Sequence, residues 1–416
     1  MNPRLRIITT RALLAGALSL FVLPGCSPKK SVPVPARADA GAEARDTVLP
    51  PGPHDTPTTD GGLAFGNLEG QIQVLERDHA KDPKRVETSL ALAELVGFRG
   101  LYLSKVADYE RALELTEEAV KNEPANPAAR VARAAARSTF HLFPAAVADL
   151  DEAERHGTSP ASTRAARASI LQARGDLDGA LALRHALTEA DANITTLSAE
   201  AALLGEIGRY DDAAKLFHQA LTSYHNVYPF PVAWTIFQEG LMWEKAGLTP
   251  RAKAFYRVAR ERLPIYAHAV SHLALLEPPA RAVELLAPVV AVADDPEFEL
   301  AASQRLRDKG DVAEAERHLA HVRSRYDELV DKHPEAFADH AGWFWLDEGK
   351  DPAKALALAK KNLAVRTNGK AYELAVLAAI AAGSREEACR LGTEGTKQPH
   401  ASEMLRGIVN DACAKR

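Results

Sequence analysis

Two pairs of histidines have the spacing that lets both rings bind one metal ion. His268 and His272 are four residues apart, and His318 and His321 are three apart. On a helix each pair would project from one face. Neither pair encloses a carboxylate that could act as a third ligand or as a general base. A metal-dependent enzyme is therefore the weaker interpretation, and solvated or packed histidines are the expected outcome.

Familiar catalytic motifs are absent from the sequence. It contains no G-x-x-x-x-G-K-[ST] phosphate loop, no G-x-S-x-G nucleophile turn, no H-E-x-x-H helix and no C-x-x-C pair. The acidic groups DLDEAE and DDPEFE are typical of solvated helix faces and helix starts rather than of paired catalytic carboxylates. We therefore expect a protein that is not an enzyme, with no cofactor and no metal site.

The first residues have the composition of a signal peptide. Arg4, Arg6 and Arg11 precede the apolar run ALLAGALSLFVL, whose twelve residues fall short of the roughly 20 that a spanning helix needs. The run ends in LPGC, which resembles the lipobox of bacterial lipoproteins. The resemblance implies that Cys26 is acylated and that residues 1–25 are removed. Ser27 then favours anchoring in the outer membrane, facing the periplasm, whereas the alternative is a plain secretory signal.

The charge balance argues against a nucleic-acid partner. The chain has 51 Lys and Arg against 56 Asp and Glu, and removing the leader takes away three arginines. The mature chain is thus acidic and has no basic stripe that could hold phosphates. Residues 26–62 contain seven prolines and little aliphatic residue content, so we expect a lipidated N-terminus followed by a disordered tether. Attachment to the membrane would depend on the lipid.

Two further cysteines lie near the C-terminus. A disulfide between Cys389 and Cys413 would close a loop of about 25 residues, worth ~3.5 kcal/mol in the chain-entropy model. The alternative is two buried free thiols on neighbouring helices.

From about residue 63 to residue 416 the apolar spacing is helical, with no convincing strand pattern. A small residue recurs in a fixed frame, at spacings of 34, 34, 33, 39, 30, 33, 40 and 33 residues. These positions are Ala112, Ala146, Ala180, Ala213, Ala252, Ala282, Ala315, Ala355 and Ala388. In the fourth unit Tyr210, Phe217 and Ala220 complete the frame.

This period and pattern resemble the tetratricopeptide repeat, a pair of antiparallel helices of 34 residues. The resemblance implies an all-α solenoid of about nine helix pairs, with a capping helix at each end because the end units would otherwise expose an apolar face. At the spacings of 39 and 40 residues we expect insertions that loosen the regular stacking.

Aromatic residues gather after the fourth unit, in SYHNVYPFPVAWTIFQEGLMW, and again in DHAGWFWLDEG. In the tetratricopeptide family the first helix of each pair lines a concave groove. The positions that the resemblance places in this groove are Trp234, Phe237, Gln238, Leu241, His268, Asp339, His340 and Trp343. Exposed aromatic side chains in a depression are common anchors for peptides and sugar rings. The alternative is that Tyr224, Tyr228 and Phe230 cover Trp234 and Phe237 and make an ordinary core.

The leading hypothesis is therefore a lipid-anchored scaffold of the cell envelope that binds protein or peptide partners without catalysis. A glycan- or peptidoglycan-binding lipoprotein would use the same aromatic residues as sugar platforms. The sequence names no particular partner.

Overall fold

The computed structural model of the protein describes residue 49 and residues 52–414. This part of the chain is helical and has no β-strand. A single 3-10 turn, Pro53–Asp55, precedes twenty α-helices. The helices are α1 Gly61–Lys81, α2 Val86–Leu103, α3 Val106–Asn122, α4 Pro127–Thr139, α5 Phe143–Arg155, α6 Pro160–Arg174, α7 Leu177–Ala190, α8 Ile194–Glu206, α9 Tyr210–Thr222, α10 Pro229–Lys245, α11 Thr249–Arg262, α12 Ala267–Leu275, α13 Pro279–Val290, α14 Pro296–Lys309, α15 Val312–Lys332, α16 Pro334–Leu346, α17 Pro352–Val365, α18 Gly369–Ala381, α19 Arg385–Thr396 and α20 Glu403–Ala414.

Helices α2 to α19 form nine successive packed pairs, with α1 and α20 at the two ends. The recurring alanines lie on the second helix of each pair, where close packing of two helices requires a small side chain. Ala112 exposes 4% of its surface and the other eight expose none. Phe217 and Ala220 in α9 are fully buried as well. The predicted fold class, the number of pairs and the role of the alanines are confirmed.

The C-terminal end is closed by α20, which packs on α18 and α19. Leu405 of α20 is fully buried in a cluster with Leu374 and Leu391. Cys389 and Cys413 form a disulfide whose Cα atoms are 5.2 Å apart. The predicted bond is therefore present, and it ties the capping helix to the last pair.

The solenoid winds back onto itself. Three hydrogen bonds join residues nearly 200 positions apart. Two are between backbone groups, Asp295 N–H to the Ser104 carbonyl (3.3 Å) and Thr367 N–H to the Arg174 carbonyl (3.1 Å), and the third joins His141 Nδ1 to the Glu335 carbonyl (2.9 Å). The separations of the pairs that join distant units range from 128 residues, for Tyr102 and Phe230, to 223 residues, for Glu110 and His333. Contacts between units far apart in the sequence therefore occur at several points along the stack.

One helix start depends on this contact between turns. Helix α3 follows Lys105, which offers no side-chain cap. The carboxylate of Asp294, from the next turn, instead accepts hydrogen bonds from the N–H groups of Val106 and Ala107, the latter at 3.1 Å. A negative charge at a helix N-terminus is stabilising, so the two turns share a cap.

An aromatic cluster joins the first units to the fifth. The ring of Phe230, in α10, lies 4.9 Å from Phe65 of α1 and 5.0 Å from Phe98 of α2. The hydroxyl of Tyr102 donates to the Phe230 carbonyl at 3.0 Å, and its ring lies 5.0 Å from Tyr266. This cluster fills the space that an open superhelix would leave as a groove.

Both insertions contribute to the contact between turns. Within the 39-residue spacing between Ala213 and Ala252, the ring of Tyr228 stacks with Phe98 at a centroid distance of 6.4 Å. The 40-residue spacing lengthens α15 to 21 residues, and its end reaches Glu110 of α3 through Lys332 (2.7 Å) and His333 (2.8 Å). The added residues thus form contacts between turns, a role that the sequence analysis did not predict.

The end of the predicted tether also lies against the solenoid. Thr59 N–H donates to the Val227 carbonyl at 2.7 Å, and Arg262 Nη1 donates to Thr58 Oγ1 at 3.0 Å. The His54 ring lies 6.2 Å from Phe255. Residues 54–59 therefore contact α11 and the loop that precedes α10. The segments predicted to be a signal peptide and a lipobox, with Cys26, lie outside the described residues. None of the described helices combines the length and the apolar composition that a membrane span needs.

Candidate functional site

The predicted aromatic groove is part of the core. Phe237 has no exposed surface and Trp234 exposes 6%. The Phe237 ring packs at 5.2 Å from Tyr266 and at 5.7 Å from Tyr256. The prediction of an accessible aromatic wall is wrong here, because both side chains are buried and the ring contacts of Phe237 come from its own helix pair and the next. The alternative of an ordinary core is the better description.

Other predicted groove residues are half-buried. Gln238, Leu241 and Trp343 fall in this class, and Leu241 packs against the same core as Phe237. Trp343 instead packs against the C-terminal cluster. These residues are spread over two separate clusters, so they do not make one continuous surface.

The histidines of both pairs are hydrogen-bonded to other residues of the scaffold. His268 Nε2 lies 3.3 Å from Ser104 Oγ, and His272 Nδ1 lies 3.0 Å from Glu244. Burial lowers the pKa of His268 to about 3, so the ring is neutral at physiological pH. His318 and His321 both reach Glu299, at 2.8 and 2.5 Å. Each pair is thus occupied by hydrogen bonds of the scaffold.

Asp339 and His340, also predicted for the groove, belong to a group of buried charges. Asp339 Oδ2 accepts from Arg366 Nη1 at 2.7 Å, and both side chains expose less than a tenth of their surface. Burial tends to raise the pKa of Asp339, but the charges of His340 and Arg366 outweigh it and lower the pKa to about 2. Burial, helped by the charge of Arg366, lowers the pKa of His141 to about 4. Asp339 is therefore ionised and His141 is neutral.

Two acidic residues that sequence reasoning assigned to a solvated helix start join the same group. Asp295 is the N-cap of α14, where its Oδ1 accepts from Glu297 N–H at 3.0 Å. Glu297 nevertheless exposes only 4% of its surface, and its Oε2 lies 3.6 Å from His340 Nδ1. The helix start is confirmed, while the expectation of solvation is wrong for Glu297, which is buried.

A pocket of about 430 Å³ opens beside this group, between the start of α14 and the outer face of α15. It is lined by Val290, Ala293, Asp294, Asp295, Pro296, Phe298, Glu299, His321, Arg325 and Glu328. Four carboxylates thus face one arginine and one histidine. The arginine is already paired, since Arg325 Nη1 lies 2.8 Å from Glu328. The pocket combines an apolar lining with an excess of negative charge.

No protein-family model and no curated protein matches the chain. Among solved structures it is similar to yeast Tom70, with 13% identity over 85% of this chain and 93% of that one and a TM-score of 0.36. It is similar to the APC/C hetero-tetramer Cut9-Hcn1, with 14% identity, coverage of 84% and 73%, and a TM-score of 0.39. It is also similar to a tetratricopeptide repeat protein from Parabacteroides merdae, with 15% identity over 79% of this chain and 98% of that one and a TM-score of 0.31. Because these values are low, the assignment of a tetratricopeptide-like solenoid rests on the chain's own nine helix pairs.

Proposed function

We propose that the protein is a non-catalytic scaffold, anchored by a lipid on Cys26 in a bacterial outer membrane, that binds protein partners of the periplasm. The leader sequence supports the anchor and the compartment. The helical-repeat architecture supports the scaffold role, since stacked helix pairs offer large preformed surfaces for partners.

The observation that carries the binding role is the acidic pocket between α14 and α15. Lys and Arg side chains pack their aliphatic stems on apolar surface and keep the charged head among polar groups. Val290 and Ala293 provide the apolar surface, and the carboxylates of Asp294, Asp295, Glu299 and Glu328 outnumber the basic groups that pair with them in the lining. The partner is therefore a protein segment that inserts a basic side chain. Sugar binding is not carried forward, because Trp234 and Phe237 offer no exposed ring.

The test is cross-linking in intact cells followed by purification of the protein with its partners. In the pocket variant, Glu299→Gln with Glu328→Gln, two of these charges are removed without a change of shape. The matched control, Glu284→Gln with Glu316→Gln, removes two exposed carboxylates elsewhere on the same stack. We expect one partner to be recovered with the wild-type chain and the control, and at least about fivefold less with the pocket variant, a loss of about 1 kcal/mol. Equal recovery by all three chains would exclude binding at the pocket.

A further inference from the structure

Three side chains of metal-binding type converge behind the acidic pocket. One ligand atom each from Asp295, Glu297 and His340 lies within 4.8 Å of the other two. Asp295 and Glu297 come from the start of α14, whereas His340 comes from α16 in the next pair. Since the two helices belong to neighbouring units of a packed stack, the scaffold itself sets the separation of the ligands.

The surroundings of the three residues favour a cation. Glu297 is buried, and the His340 side chain exposes only 18%. Asp294 and Asp339 bring two more carboxylates close by, and Arg366 is engaged by Asp339. A bound cation would offset the cost of holding these carboxylates together.

A carboxylate lies near the second ring nitrogen of His340, at a distance longer than a hydrogen bond. His340 Nδ1 faces Glu297, while its Nε2 lies 3.8 Å from Asp339 Oδ1. Asp339 is fixed in turn by Arg366. A carboxylate that orients a histidine ligand is a recurrent feature of metal sites, and its own partner keeps it ionised.

We propose that Asp295, Glu297 and His340 bind one divalent cation of the Zn²⁺ or Mn²⁺ class. Two carboxylate oxygens and one imidazole nitrogen suit these ions, whereas Ca²⁺ and Mg²⁺ favour oxygen ligands alone. The ion would join the seventh helix pair to the eighth. Three protein ligands also leave a coordination position for water or for a group from the pocket side, since Asp295 lines both spaces.

The test uses the whole mature chain, stripped with a chelator and then titrated with Zn²⁺ or Mn²⁺. Bound metal is counted by elemental mass spectrometry and affinity is measured by calorimetry. We expect one ion per chain. Asp295→Asn keeps a good helix cap while removing the charge, and Glu297→Gln keeps the shape. Each should weaken binding by about 10- to 100-fold or more, since the loss of an outer partner alone has an effect of that size.

The control is His321→Gln, which alters an exposed histidine of the Glu299 group and should leave affinity unchanged. Circular dichroism checks that each variant is folded. If a variant does not fold, the electron spin-echo spectrum of the Mn²⁺-loaded wild-type chain decides, because one imidazole nitrogen must couple to the ion. The proposal is overturned if the wild-type chain takes up no stoichiometric metal, if Asp295→Asn binds as well as wild type, or if no nitrogen coupling is seen. Loss of partner capture in the Glu328→Gln variant with metal binding intact would separate this site from the proposed function.

Discussion

Removal of the Phe230 side chain should open the contact between turns. The ring has no exposed surface and lies 4.8 to 5.0 Å from the rings of Phe65, Phe98, Tyr102 and Tyr228. Truncation of a fully buried phenylalanine to alanine costs about 3–5 kcal/mol, through lost transfer free energy and the cavity that remains. Three of the four neighbours belong to α1 and α2, so this cost falls on the docking of these helices against α10.

The assay is amide hydrogen exchange followed by mass spectrometry, with urea unfolding as the measure of stability. In Phe230→Ala we expect peptides from residues 61–103 to lose protection by about two to four orders of magnitude, which corresponds to the expected loss of about 3–5 kcal/mol. The matched control is Phe344→Ala. Phe344 exposes 2% of its surface, and its ring contacts are Tyr326 and Trp345 in the seventh and eighth pairs.

The control variant should lose a similar free energy but keep full protection in residues 61–103. If Phe230→Ala leaves exchange in that segment unchanged, or if both variants affect it equally, the reasoning about the contact between turns is refuted.

Three further outcomes are expected. Burial raises the pKa of Glu239 in the folded chain to about 7. The contribution of this protonated carboxyl to the free energy of unfolding is fully present below about pH 4.5 and is lost as the pH rises through 7, a change of about 3 kcal/mol. Glu239→Gln should therefore stabilise the chain, relative to wild type, more at pH 8 than at pH 4.5. A difference in urea midpoint between variant and wild type that is equal at both pH values would contradict this. Replacing Cys389 and Cys413 by serine should cost about 3.5 kcal/mol of local stability, seen as faster exchange in residues 403–414; unchanged exchange there would show that the bond contributes little. Cys26→Ser should move the protein from the membrane to the soluble fraction, and retention in the membrane would exclude the lipid anchor.

The sequence predicts the pairs because their determinants are local. Ala213, Phe217 and Ala220 repeat at helical spacing within one unit, and the same frame recurs along the chain. The disulfide could also be predicted, since only two cysteines follow Cys26 and both lie near the C-terminus. Both features depend on residues that are neighbours in sequence or in adjacent helices.

The contact between turns could not be predicted in this way. The repeat frame fixes how one pair packs on the next but carries no signal for the superhelical pitch, so nothing in the sequence linked Asp294 to the start of α3. The same limit explains the aromatic residues. Phe237 occupies a groove position in the repeat frame, but units more than a hundred residues away help to bury the surrounding cluster.

The buried charges were missed for a related reason. Asp295, Pro296 and Glu297 read as an ordinary helix start, which they are, while their burial depends on His340 and Asp339 from the next unit. The ion pair between Asp339 and Arg366 could not be predicted either, because the two residues are 27 positions apart in the sequence. The pairing of such residues follows from the stack rather than from a motif.

The contact between turns is tested most directly by zero-length coupling of a lysine to a carboxylate with a carbodiimide. Lys332 Nζ lies 2.7 Å from Glu110 Oε1 although the two residues belong to different turns. Lys253 and Glu277, 3.0 Å apart in neighbouring helix pairs, give an internal control. We predict that peptide mapping of the monomer finds both amide cross-links in comparable yield. The contact between turns would be contradicted if the Lys253 to Glu277 link formed and the Lys332 to Glu110 link did not.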